Sequence, residues 1–131
     1  MTNQYPKTTG ERRLLTLHGY DCAVQMGPYS INGYITLPDT HPWLQHESLE
    51  GVDFINVHGG VTYHEGQTIG FDTNHHTDGI HPESIGYKHF RAHLGKGIDV
   101  LHWTWQETTD ELARLAEQAH EADHMLRNEE D

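Results

Sequence analysis

Residues 104–126 read TWQETTDELARLAEQAHEADHML, and the kind of fold turns on them. Trp105, Leu112, Leu115, Ala116, Ala119, Ala122 and Leu126 recur at a period of about 3.6 residues, which gathers them on one face of a helix. Thr104 with Glu107, and again Thr108 with Glu111, have the Thr-x-x-Glu spacing in which a hydroxyl and a carboxylate satisfy orphan amides at a helix start. The pattern predicts an amphipathic helix over 104–127 whose apolar stripe needs a sheet to lie on. The closing RNEED is expected to fray.

Working back from the helix, strand-like runs supply that sheet. LLTLHGYDCAV (14–24) alternates in part around Gly19 and predicts a strand or a bulged strand pair, and SINGYITLP (30–38) predicts a strand ending at Pro38. DTHPWLQHESLEG (39–51) reads as a surface excursion with a short helical turn. VDFINVHGGVTY (52–63) followed by TIGFD (68–72) reads as a bent hairpin. Ile85, Phe90 and Leu94 have near-helical spacing and stop at Gly95 and Gly97, so a short helix is expected there. The fold class is therefore α+β: a small, mainly antiparallel sheet with a C-terminal amphipathic helix packed on it. The 131 residues suit a single domain over 1–131, with 1–13 a loosely held arm or an edge segment.

Twenty acidic against eight basic side chains give a formal charge of −12, which repels phosphate backbones, so no direct nucleic-acid binding is expected. No run of about 20 apolar residues suits a membrane span, and MTNQYPKTTGERR lacks the apolar block of a secretory signal. A cytoplasmic protein without a membrane partner is expected. The single cysteine, Cys22, has no disulfide partner in the chain and reads as a small core residue rather than a nucleophile.

Histidine is the outlier, with thirteen copies, ten of them between His41 and His102. Imidazole is both a common metal ligand and the usual proton shuttle near neutral pH. The segment VHGGVTYHEGQTIGFDTNHHTDGIHP (57–82) holds five of these histidines and two aspartates. Gly59 and Gly60 after His58 imply either positive φ or a close backbone approach, hence a bulge or a site wall. His58 from one strand, with Asp72, His75 and Asp78 from the next strand and its loop, offers two imidazoles and two carboxylates to a divalent ion such as zinc. The same four groups suit metal-free acid–base chemistry. A calcium loop over 72–83 fits less well. Thr77 stands where a sharp-turn glycine belongs, His76 where an oxygen ligand belongs, and the incoming segment reads as a strand.

Through NGYITLP, HPW, VHGGVTY and IGFD followed by His75 and Asp78, and again in ETTDELARLAEQ, the chain resembles a family of small uncharacterised proteins of bacteria and their phages. The resemblance implies that His58, Asp72, His75 and Asp78 belong to a shared motif, whereas His64, His76 and His81 do not. Gln67, Thr68 and Ile69 depart from it, since aromatic residues often precede Gly-Phe-Asp in that family.

Two functions are expected from this reading. One is a small metal-dependent hydrolase acting on a nucleotide or phosphorylated compound, with His58 and His75 as ligands or proton-transfer groups. Asp72 and Asp78 would then serve as ligand and orienting carboxylate, and the amides around Gly59 and Gly60 as an anion cradle. The other is a non-catalytic phage counter-defence protein that binds a nucleotide signal or a host protein, with Tyr34, Tyr63 and Trp43 as stacking surfaces rather than core. A purely structural role, in which the polar residues pin a difficult bend, is the bland third reading.

Overall fold

The computed structural model describes residues 5–8, 10–73, 84–85 and 103–130, with helix side chains described as far as residue 124. Five antiparallel strands form one sheet: β1 (Arg12–Leu17), β2 (Tyr20–Met26), β3 (Ile31–Thr36), β4 (Tyr63–Glu65) and β5 (Thr68–Phe71), in the spatial order β1-β2-β3-β5-β4. The C-terminal helix α1 (Trp105–Glu130) packs on one face of it. The α+β expectation is met.

Of the two candidate capping boxes, the first starts the helix. Glu107 N–H donates to Thr104 Oγ1 and Thr104 N–H to a Glu107 carboxylate oxygen, both at 3.0 Å. Thr108 lies inside the first turns, where its hydroxyl donates back to the Thr104 carbonyl at 2.9 Å. The guanidinium of Arg13 lies 4.0 Å from the centre of the Trp105 ring and fastens the helix start to β1. Thr104→Ala is expected to cost about 1 kcal/mol, read as a lower thermal midpoint with an unchanged circular dichroism spectrum.

Alternation sets the two faces of the sheet. Cys22, Val24, Met26, Ile31, Ile35, Ile69 and Phe71 are buried with Leu112, Leu115, Ala116 and Ala119 of α1. The other face carries Gln25, Asn32, Tyr34, Thr36 and Thr68, all buried. Residues 5–8 lie against that second face, as an edge segment would rather than a loosely held arm. The Tyr5 ring packs on Tyr34, Gln25 donates its side-chain amide to the Pro6 carbonyl at 2.8 Å, and the Thr8 hydroxyl donates to the Met26 carbonyl. Arg12 and Arg13, read as the end of the arm, belong to β1.

Two further expectations are corrected in part. Residues 39–51 run along the surface with the short helical turn expected, the 3-10 turn Pro42–Gln45, but the excursion is anchored in the core by His41, Trp43 and Leu49, all buried. The bent hairpin over 52–72 shrinks to β4 and β5, paired Tyr63↔Gly70 to Glu65↔Thr68. Ahead of it the backbone of Asn56 bonds to a helix side chain, as a strand would to its neighbour. Gln118 accepts the Asn56 N–H at 2.8 Å and donates to the Asn56 carbonyl at 2.7 Å. The short helix expected near 85–94 lies outside the described residues, Ile85 excepted.

Candidate functional site around His58

The segment His58–Gly60 forms a tight turn closed by Gly60 N–H donating to the Val57 carbonyl at 2.8 Å. Gly59, at the third position of that turn, has φ +71°, which is the type II requirement; Gly60 follows at +81°. A Cβ at Gly60 would meet nothing within 4 Å. That glycine therefore serves the backbone angle and not a close approach, as the bend-making reading of the pair expects.

The helix fixes this turn through Glu111, which is buried although charged. One oxygen accepts the His58 backbone N–H at 2.6 Å and the other accepts from Arg114 Nη1, also at 2.6 Å. Each bond is charge-assisted, so together they offset the cost of burying the carboxylate. Arg114 Nη2 also reaches the Asn56 carbonyl, at 3.3 Å. Because the backbone amide is what Glu111 holds, the imidazole of His58 is left to other contacts. It lies half-buried with its ring centre 4.4 Å from that of Trp103.

Asp72 reaches the same end of the sheet from the other side. The antiparallel pairs put the start of β3, the start of β4 and the end of β5 together, and Arg13 against Trp105 puts the start of α1 there too. Asp72 directly follows β5 and adjoins Tyr34. Burial pushes the Tyr34 phenol up to about 12; Asn32 opposes that shift by hydrogen bonding, and the Asp72 charge adds to it. Thr73 then anchors the strand end, its hydroxyl donating to the Ile31 carbonyl at 2.8 Å. Trp103, just ahead of α1, lies beside His58.

Of the four residues singled out from the sequence, His58 and Asp72 thus come to one end of the sheet, while His75 and Asp78 lie outside the described residues. Among the described residues no three His, Cys, Asp or Glu side chains are already gathered as a metal site. Tyr34 and Tyr63 meet edge to face with ring centres 5.2 Å apart, Tyr34 buried and Tyr63 half-buried. Trp43 is buried against His41 and Phe54. Burial pushes the Cys22 thiol up to about 12, which suits a core residue and not a thiolate nucleophile.

Comparison with protein-family models, curated proteins and solved structures gives no match to this chain. Function is read from the residues alone.

An open concavity of about 930 Å³ lies elsewhere, with Asp39, His46, Glu47 and His64 on its walls. Both ring nitrogens of His64 are engaged by the backbone, so it could serve there as a ligand only by giving up one of those bonds. Its Nδ1 accepts the Leu49 N–H at 2.9 Å, so its Nε2 carries the proton toward the Gly66 carbonyl at 3.0 Å. Sequence reasoning missed Glu111, which was seen only as a capping partner for Thr108. Its signal was position: a carboxylate four residues before Leu115 and one before Leu112 sits within the stripe that the helix buries. Among the described residues, no helix is long and apolar enough to cross a membrane.

Proposed function

We propose that the protein is a small hydrolase of phosphorylated compounds, a nucleotide among them, working at the sheet end that carries His58 and Asp72. The observation that carries the proposal is the turn His58–Gly60, whose backbone is fixed by the buried Glu111 while its imidazole remains half-buried. A proton-transfer group or ligand gains from being held in place before the substrate arrives. Asp72 directly follows β5 at the same end of the sheet, and His75 and Asp78 stand three and six residues after it in the sequence. In this reading His58, Asp72, His75 and Asp78 hold a divalent ion such as zinc, which when bound would supply an activated water.

The test is native mass spectrometry and turnover of phosphorylated substrates with protein purified without chelator. Near one equivalent of a transition ion and phosphate release are expected. His58→Ala keeps the amide that Glu111 holds, so it should abolish phosphate release and shift the melting midpoint by no more than about 1 kcal/mol equivalent. A wild-type protein that returns a bound nucleotide unchanged after long incubation would be a sequestering binder, and the hydrolase reading would fall.

A further inference from the structure

Three histidines that the sequence reading passed over meet at the far end of the helix. His120 and His124 stand four residues apart on α1, so they share a face. Their rings are stacked with centres 6.3 Å apart. The ring of His18, delivered by the turn between β1 and β2, also stacks on that of His120, at 5.5 Å. All three residues are exposed. At a rise of about 1.5 Å per residue, roughly 22 Å of helix separates His120 from Trp105 and roughly 13 Å separates it from Glu111, which holds the His58 turn.

The backbone at His18 gives a second, independent observation. The two-residue loop His18-Gly19 has φ +50° and +83°, the pattern of a type I′ hairpin turn, for which Asn-Gly is the favoured pair. His18 is the one residue other than glycine with positive φ among the described residues. A left-handed backbone costs a side-chain-bearing residue about 1 kcal/mol or more, and such outliers point to what the side chain does. Here that side chain reaches His120 on the helix.

We propose that His18, His120 and His124 form a surface site for a transition metal ion, zinc in the first instance. Two imidazoles at i and i+4 of a helix are the spacing by which metalloproteases bind zinc, and three imidazoles leave the fourth tetrahedral position to water. The rings lie side by side rather than pointed at one centre. Among the described residues no such group is already placed to hold an ion, so binding requires these exposed side chains to turn their rings toward one centre, at about 2.0–2.1 Å from it. The helix here is itself pinned, since His41 donates to the Ala119 carbonyl at 2.7 Å. The formal charge of −12 draws cations toward the whole surface.

Zinc titration of the full chain, followed by calorimetry and by the imidazole signals in NMR, tests this. The ring signals of His18, His120 and His124 should shift together as one equivalent is added. His120→Ala, His124→Ala and His18→Asn should each weaken that equivalent at least tenfold. His18→Asn is the most telling variant, because asparagine suits the turn and only the imidazole is lost. His58→Ala should leave this equivalent in place, so failure of the hydrolase reading and failure of this one are separable. Zinc affinity unchanged in His120→Ala or in His18→Asn would overturn the three-histidine site.

Discussion

Gly70→Ala is expected to cost about 3 kcal/mol of folding stability, the upper end of the usual range for overpacking a core, seen as a lower urea midpoint with little change in slope. The reason is the way β3 and β5 face each other. Their direct pairs Gly33↔Phe71 and Tyr34↔Gly70 set a glycine against an aromatic ring twice, on opposite faces of the sheet. A Cβ at Gly70 would fall on the Tyr34 ring and 2.7 Å from the Gly33 carbonyl oxygen; one at Gly33 would lie 2.7 Å from the Phe71 ring. Tyr34 has little room to withdraw, being packed between Tyr5 and Tyr63 at 6.3 and 5.2 Å. The carbonyl belongs to the ladder and cannot withdraw either. Gly60→Ala is the contrast: the same methyl meets open space, and only the φ of +81° is strained, for about 1–2 kcal/mol. If Gly70→Ala unfolds at the same urea concentration as the parent, these aromatic covers are not wedged and the pairing contributes less than the geometry implies.

That glycine–aromatic exchange explains why the central strands could be read from sequence only in outline. Ile31, Tyr34 and Ile35 mark β3, but nothing in INGYIT or TIGF taken singly says that each glycine is the seat of the other strand's ring. The helix was more legible because its signals are local: a repeat of apolar residues and one capping box settle it without knowledge of any partner. Residues 52–62 misled for the opposite reason. Their apolar residues look like a strand, yet the hydrogen-bond partners of Asn56 and His58 are the side chains of Gln118 and Glu111, more than fifty positions later. A side chain that substitutes for a strand partner leaves no pattern in the strand it serves.

The same limit governs the candidate site. The pair Gly59-Gly60 announced its positive φ values correctly, since few other residues tolerate them. What holds the turn, Glu111 with Arg114, looked like surface helix chemistry until packing turned it inward. Histidine was the least legible residue type of all. His41, His58, His64 and His120 occupy a core anchor, a turn, a loop brace and an exposed helix face, and composition treats them alike.

His41 gives the second large effect, and its sign follows from its two bonds. The ring is 1% exposed, accepts the Trp43 N–H at Nδ1 (3.1 Å) and donates from Nε2 to the Ala119 carbonyl (2.7 Å), so only the neutral form satisfies both. Burial lowers its pKa from 6.5, opposed in part by the Ala119 bond and by the Asp123 charge. A base with a depressed folded pKa binds fewer protons folded than unfolded. Its contribution is therefore complete above 6.5 and is lost as pH falls from there toward the folded value. Within that window the loss approaches about 1.4 kcal/mol per pH unit. His41→Ala leaves the Trp43 amide and the Ala119 carbonyl without this partner, and it opens a gap beneath Trp43 and Tyr20. A loss of about 3 kcal/mol at pH 7.5 is expected, from unmet polar groups and cavity together. Measured by urea unfolding, the parent and His41→Ala curves should converge as pH drops below 6.5, because the parent alone has this proton to take up. Parallel curves from pH 7.5 to 5 would mean that folding does not lower the pKa of this ring, and curves that diverge as pH falls would mean that the ring is protonated in the fold and the tautomer assigned from its two bonds is wrong.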